Sequence, residues 1–216
     1  MKLLLTSDTH LPVRARDLPE PLWNAVDAAD VVVHAGDWVS VALLDALEAR
    51  ADRLVAVHGN NDGAALRARL PEVARVELDG VRLAVVHETG PAAGRERRCA
   101  MAYPDVDVLV FGHSHIPWDT LATRADGGTL HLLNPGSPTD RRRQPTHTWM
   151  TADINHGRLA AVTLHHLPPR REGVVSPGTN PLPAEGRRAD QPPGPPRRRR
   201  PSPRPAGAPP TDPAAP

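Results

Sequence analysis

Short aliphatic, β-branched runs alternate along this chain with segments of helical character, and that alternation confines it to the α/β class. The first three runs are Lys2 to Leu5, Val31 to Ala35 and Leu54 to Val57. Between them, Pro21 to Ala29 can form a helix, and Val41 to Arg50 places Val41, Leu44 and Leu47 at helical spacing. A third helix is expected from Ala64 to about Leu70, where Pro71 stops it. Arg75 to Leu78 and Val81 to Val86 flank Asp79-Gly80, a two-residue hairpin signal, so these two strands should be antiparallel neighbours. Gly90 to Gly94 reads as a loop, and Arg95 to Ala102 as a helix in which Cys99 is packed or half-exposed. Further strands are expected at Val106 to Phe111, Trp118 to Thr123 and Leu130 to Leu133. The last pair, Thr146 to Asp153 and Leu159 to His166, is separated by the turn Asn155-His156-Gly157. No internal repeat is visible.

The pattern stops at Leu167. The last 49 residues hold 16 of the 26 prolines and few apolar residues. Such a segment cannot bury enough apolar surface to offset its ordering entropy, so residues 1–167 are expected to fold and 168–216 to form a disordered Pro/Arg-rich tail. The formal charge of +1 hides a split: the tail has nine Arg against four acidic residues, leaving the core near −4. The tail, with its run Arg197 to Arg200, reads as a solvated extension in preference to a nucleic-acid, anionic-lipid or acidic-partner contact. One cysteine excludes an internal disulfide and fits a reducing compartment. No signal-peptide stretch precedes Asp8, and no run approaches the roughly 20 apolar residues of a membrane helix, so a soluble, cytoplasmic protein without a membrane span is expected. Four Trp, one Tyr and one Phe argue against a base-stacking surface, which leaves nucleic acid a less favoured partner than a small substrate. The oligomeric state is not set by the sequence.

Several β-rich runs end in residues able to bind a metal. Thr6-Ser7-Asp8-Thr9-His10 closes the first, Gly36-Asp37 the second and His58-Gly59-Asn60-Asn61-Asp62 the third. His87 follows Val86, and Gly112-His113-Ser114-His115 follows Phe111. Asp8 and His10, two apart at a strand end, are expected on one side of the backbone because side chains alternate with period two. Alone, Asp-x-His is a weak signal. In open α/β sheets, however, ligands gather beyond the carboxyl ends of strands, so five such endings are placed to converge.

These blocks, with Asn134-Pro135-Gly136-Ser137, resemble the calcineurin-like metallophosphoesterases, and within them the small phosphodiesterase subfamily typified by the YfcE-like proteins. The resemblance implies a four-layer α/β/β/α sandwich with two divalent metal ions at one end. It implies Asp8, His10 and His115 as ligands of the first metal, Asn60, His87 and His113 as ligands of the second, and Asp37 as a bridge. Carboxylate, imidazole and amide oxygen suit Mn²⁺, Fe, Zn²⁺, Co²⁺ or Ni²⁺, with Mn²⁺ placed first, and a set without thiolate argues against a structural zinc. A carboxylate bridge holds two ions about 3.5–4 Å apart, a spacing suited to in-line attack on phosphorus by a bridging water without a covalent enzyme intermediate. The expected catalytic residues are Asp8, Asp37, Asn60 and Asn61, and the expected activity is hydrolysis of a small phosphodiester. Phosphomonoesterase and nuclease activities are alternatives within the same fold. A protein-interaction scaffold is a third, since this architecture also occurs in a trafficking subunit.

One departure bears on the chemistry. Many members of the superfamily carry His after the motif's Asn, where it is thought to protonate the leaving group; this chain has Asn61, which can hydrogen-bond a phosphate oxygen but is no acid. Selectivity for activated phosphodiesters follows. Asn134 to Ser137 reads equally as a support of the metal shell, a wall of the phosphate site or a plain turn. Of Arg141 to Arg143, one or two at most can face the site. His34, His58, His131, His147, His156, His165 and His166 are read as hydrogen-bonded structural residues.

Overall fold

The computed structural model describes residues 1–167; the expected disordered tail, 168–216, lies outside the described residues. Ten strands and four helices follow one another as β1 (Lys2–Thr6), α1 (Glu20–Ala28), β2 (Val31–Ala35), α2 (Val41–Arg50), β3 (Leu54–Val57), α3 (Ala64–Arg67), β4 (Val73–Leu78), β5 (Val81–Val86), α4 (Arg95–Ala102), β6 (Val108–Val110), β7 (Trp118–Thr123), β8 (Thr129–Asn134), β9 (Thr148–Asn155) and β10 (Arg158–His166). The strands form two sheets, ordered β10-β9-β1-β2-β3 and β4-β5-β6-β8-β7.

Each sheet combines three parallel strands with two that join through antiparallel pairing. In the first, β1, β2 and β3 are parallel, and β9 and β10 are added antiparallel. In the second, β5, β6 and β8 are parallel, with β4 and β7 antiparallel at the two edges. The β4–β5 turn is the expected hairpin: Leu78 pairs with Val81, and Asp79 and Gly80 both have positive φ, 47° and 80°, as a type I′ turn requires.

Three apolar clusters define the layers. Leu3, Leu5 and Val33 of the first sheet meet Leu83, Val85 and Val110 of the second in a central cluster. The opposite face of the first sheet, including Leu4, Val32 and Ala56, packs on Leu22 and Val26 of α1 and on Leu43, Leu44 and Leu47 of α2. On the outer face of the second sheet, Ala84, Leu109 and Leu132 pack on Cys99 and Ala100 of α4. Successive side chains of a strand go to opposite faces, so β1 and β2, covered on both, carry consecutive apolar residues, Leu3 to Leu5 and Val31 to Val33. The result is the four-layer α/β/β/α sandwich. Cys99 is fully packed, and burial pushes its thiol up, away from a reactive thiolate.

The differences from expectation are at element ends. α3 closes at Arg67, although backbone bonds continue the turn to Leu70, whose N–H donates to Leu66. β6 is shorter than the apolar run that contains it, because Val106 N–H turns back to the Tyr103 carbonyl. Among the described residues no helix is long and apolar enough to cross a membrane.

Because Leu83 is 1% exposed between the sheets, Leu83→Ala is expected to cost about 2–5 kcal/mol in urea unfolding. Leu121→Ala, at a site 65% exposed, should stay within about 0.5 kcal/mol of wild type.

Candidate metal centre

Every parallel strand leads into the same end of the molecule. β1 is followed by Asp8 and His10, β2 by Asp37, β3 by Asn60 and Asn61, β5 by His87, β6 by His113 and His115, and β8 ends at Asn134. The antiparallel strands β4, β7, β9 and β10 supply no expected ligand.

The reason Asp8 and His10 converge differs from the one expected. β1 ends at Thr6, so the period of a strand no longer governs them. Both residues have left-handed backbone, φ 53° and 44°, and so do Asp37 (59°), His113 (67°) and His115 (58°). Such a conformation costs a non-glycine residue on the order of 1–3 kcal/mol, so surrounding contacts must impose it. Two of them are backbone bonds: Asp8 N–H donates to Gly36 O at 2.9 Å, and His10 N–H donates to Asp37 O at 3.0 Å. Two glycines let the loops close. A Cβ on Gly59 would lie 2.2 Å from Asp37 Oδ1, and one on Gly112 would lie 2.8 Å from Asp8 Oδ2.

The seven expected ligands come together as two overlapping groups. Asp8, His10 and His115 can place one donor atom each within 4.8 Å of the others, and so can Asp8, Asp37 and His87. In the first group His10 Nε2 is 3.2 Å from His115 Nε2, which is 3.4 Å from Asp8 Oδ1. Around the second, Asn60 Oδ1 is 2.9 Å from both His87 Nε2 and His113 Nδ1. Asp37 Oδ2 lies 3.6 Å from His10 Nε2 and 3.4 Å from His87 Nε2, so one carboxylate oxygen faces both groups. Asp8, expected in the first group alone, borders both.

Outer contacts fix which nitrogen each imidazole presents. His87 Nδ1–H donates to Ala35 O at 2.8 Å and His115 Nδ1–H donates to Asp140 O, which leaves Nε2 of each ring directed inward. Burial pushes His10 down and His115 down to about 4, so both are neutral lone-pair donors at pH 7. For His87 burial acts in the same sense, but the bond to Asp37 and the charges of Asp8 and Asp37 outweigh it and raise its pKa. Asp37 is opposite: burial would raise it, yet His87 and the two N–H groups of Asn61 hold it well below the carboxylate range. For Asp8, burial wins over His87 and Ser7 and pushes it up to about 7. Imidazole, carboxylate and amide oxygen at these distances fit borderline divalent cations.

Asn61 is tied to Asp37 and not left free beside it. Its backbone N–H donates to Asp37 Oδ1 at 2.8 Å and its side-chain amide to Oδ2 at 2.6 Å. Asn134 to Ser137 is a support. Asn134 Nδ2 donates to Gly112 O at 2.8 Å, Ser137 Oγ donates to Asp8 O at 2.7 Å, and Ser7 Oγ lies 2.7 Å from Asp8 Oδ2 and 2.8 Å from Gly136 O.

Two further residues support the loops from outside the expected ligand set. Asp62, buried, accepts the backbone N–H of Asp37, Val39 and Gly59 and so ties the β2 and β3 loops together. Arg67 of α3 donates to the carbonyls of Gly59, Asn60 and Asp62. Asp62 was within reach as the last residue of the third motif; Arg67 carried no signal, since only the fold brings a helix arginine under that loop. Among the histidines read as structural, His34 stacks on Trp38 at 3.5 Å, His131 pairs with Asp119 and His165 with Thr151.

These shifts set a pH dependence for the metal-free protein. His10, His34 and His115 titrate lower when folded, so their contribution is complete above an unfolded value of about 6.5 and is lost as pH falls. Asp8, raised to about 7, acts oppositely: its contribution declines as pH rises toward 7. His87, raised, contributes stability that is lost as pH rises through its folded value. Three imidazoles against one carboxyl decide the acid side. The melting temperature in EDTA is expected to rise from pH 5 to 6.5 and to decline by pH 8; a profile that falls steadily from pH 5 would contradict the burial of these rings.

Residues 1–157 match the family model described as the calcineurin-like phosphoesterase superfamily domain. A probable metallophosphoesterase of Methanocaldococcus jannaschii is 34% identical over 142 residues, 64% of this chain and 69% of that protein. A phosphodiesterase of the same organism is 25% identical over 128 residues, 53% of this chain and 74% of its own. Among solved structures, wild-type Vps29 of Entamoeba histolytica complexed with zinc superposes with a TM-score of 0.60 at 21% identity, over 77% of this chain and 98% of that one, a likeness of fold. With the sequence blocks, the sandwich and the clustered donors in agreement, the chain belongs to the calcineurin-like phosphoesterase superfamily.

Proposed function

We propose that this protein is a binuclear metal-dependent phosphodiesterase acting on a small substrate. The observation that carries the reading is Asp37 Oδ2, one carboxylate oxygen within 3.6 Å of His10 Nε2 and 3.4 Å of His87 Nε2, between two sets of donors. Asp8, His10 and His115 would hold one ion, Asn60, His87 and His113 the other, and Asp37 would bridge them, with Mn²⁺ the first candidate. When bound, such ions supply an activated water and offset charge on the phosphoryl oxygens.

The remaining work falls to this chain's own groups. Asn61, bonding both oxygens of Asp37, keeps that carboxylate turned to face His10 and His87. His113, with 42% of its side chain exposed, and Asn60 and Asn61, also exposed, mark the open face at which a phosphate would enter. Since Asn61 can donate a hydrogen bond but not a proton, activated esters are the favoured substrates. A phosphomonoesterase, a nuclease or an interaction scaffold would share the fold; a complete set of seven competent donors favours the enzyme.

Purified protein is expected to retain divalent metal and to hydrolyse bis-p-nitrophenyl phosphate with added Mn²⁺. Asp37→Asn should lower turnover by more than about 100-fold, since even partners of metal ligands are commonly worth about 10–100-fold. Wild type that neither binds metal nor turns over ester with any of several divalent ions would end the enzyme reading. Asn61→His is expected to raise the rate on esters with poor leaving groups relative to p-nitrophenyl esters, and an unchanged substrate profile would show that a missing acid is not what limits this site.

A further inference from the structure

Two arginine-bearing loops meet beside the His10 and His115 side of the centre. One follows His10 and carries Arg14 and Arg16; the other follows Ser137 and carries Arg141, Arg142 and Arg143. They are stitched together: Arg14 Nε lies 3.1 Å from Asp140 Oδ2, Thr139 Oγ1 donates to Thr9 O at 2.6 Å, and Asp140 O accepts from His115. The acidic residues of these loops are engaged, Asp17 with Leu18 N–H and Trp23, and Asp140 with Arg14 and Arg142 N–H.

The arginines are not equivalent. Arg141 turns back on its own loop and donates to Gln144 O. Arg142 has left-handed backbone, φ 47°, and its Nη1 donates to the His113 carbonyl at 3.3 Å, which puts the guanidinium at the mouth of the centre with most of its five-donor fork available. Its positive charge, with that of Arg14, acts on His10, and Arg142 acts on His115 as well; the Asp140 carboxylate acts on both rings in the opposite sense. The opposite flank has the other polarity. Asn60 and His87 border a cavity of about 230 Å³ whose walls include Glu72 and Glu88, and the Arg67 there is bound to loop carbonyls.

We infer that Arg142, placed by its bond to the His113 carbonyl and seconded by Arg14, binds a second phosphate of the substrate. The substrate class is then a phosphodiester carrying another phosphate close to the scissile one, as in a nucleoside bisphosphate ester, in preference to a singly charged diester. A planar guanidinium fork matches phosphate oxygens two at a time, and a charge-assisted bond of this kind is worth about 1.5–3 kcal/mol, about 10- to 150-fold in affinity. This assignment rests on the phosphodiesterase reading.

The test compares two esters with one leaving group, thymidine 5′-(p-nitrophenyl phosphate) and its 3′-phosphorylated counterpart, on Mn²⁺-loaded full-length protein. Wild type is expected to show a KM at least about tenfold lower for the second ester at similar kcat. Arg142→Gln should bring the two KM values together, Arg142→Lys should restore part of the difference, and Arg97→Gln on α4 should keep it. Calorimetric titration with thymidine 3′,5′-bisphosphate and thymidine 5′-monophosphate gives a readout independent of turnover, with the same ordering expected. If wild type hydrolyses neither ester, the phosphodiesterase reading fails while the affinity ratio still decides the role of Arg142. Equal affinities in wild type, or a preference that survives Arg142→Gln, would overturn the inference.

Discussion

The buried carboxylate of Asp37 is the group on which the head of the molecule depends. It is fully buried on a left-handed residue, a position tolerable only because its partners satisfy it from every side. Asn61 donates twice to its oxygens, His87 faces it with a raised pKa, and Asp62 receives the N–H of its own backbone. Those contacts come from the loops after β3 and β5 and from the end of the third motif. Fixing one carboxylate therefore sets the relative position of three strand ends.

Asp8 makes the companion case with the opposite electrostatic outcome. It is equally buried, but there burial, helped by the charge of Asp37, outweighs the pull of His87 and the bonds from Ser7 and the His113 N–H, and its carboxyl is pushed up to about 7. Two carboxylates of different acidity within one cluster, beside His87 and His115 whose outer nitrogens are anchored, form a site in which a divalent cation would relieve the cost of bringing charge together. The supporting shell, Ser7, Asn134, Ser137 and Arg67, acts on backbone as much as on side chains, because the strain lies in the backbone. Left-handed residues at Asp8, His10, His113 and His115 persist only while their loops are bonded to one another.

Much of this was legible in the chain. The runs Val31 to Ala35, Val41 to Arg50, Leu54 to Val57 and Arg95 to Ala102 coincide with β2, α2, β3 and α4, since apolar periodicity and flanking turn residues agree there. Asp79-Gly80 specified its hairpin because only residues tolerant of positive φ fit a type I′ turn. The seven candidate donors were also legible, as polar residues placed after apolar runs. What misled was the period-two reason for pairing Asp8 with His10, because the strand had already ended. Arg67 and Arg142 were illegible as individuals: one is an ordinary helix arginine, the other the middle of three.

By itself, then, the sequence determined the α/β order of strands and helices and the candidate donors at the strand ends, because hydrophobic period and residue chemistry are local properties that no distant contact needs to supply. Tertiary structure alone decided that Asp8 borders both donor groups, that Asn61 is bound to Asp37 and that Arg142, the middle of three consecutive arginines, bonds the His113 carbonyl. Those outcomes depend on how loops from two sheets close against each other, and on which buried charges find partners there. Neither is encoded by spacing along the chain.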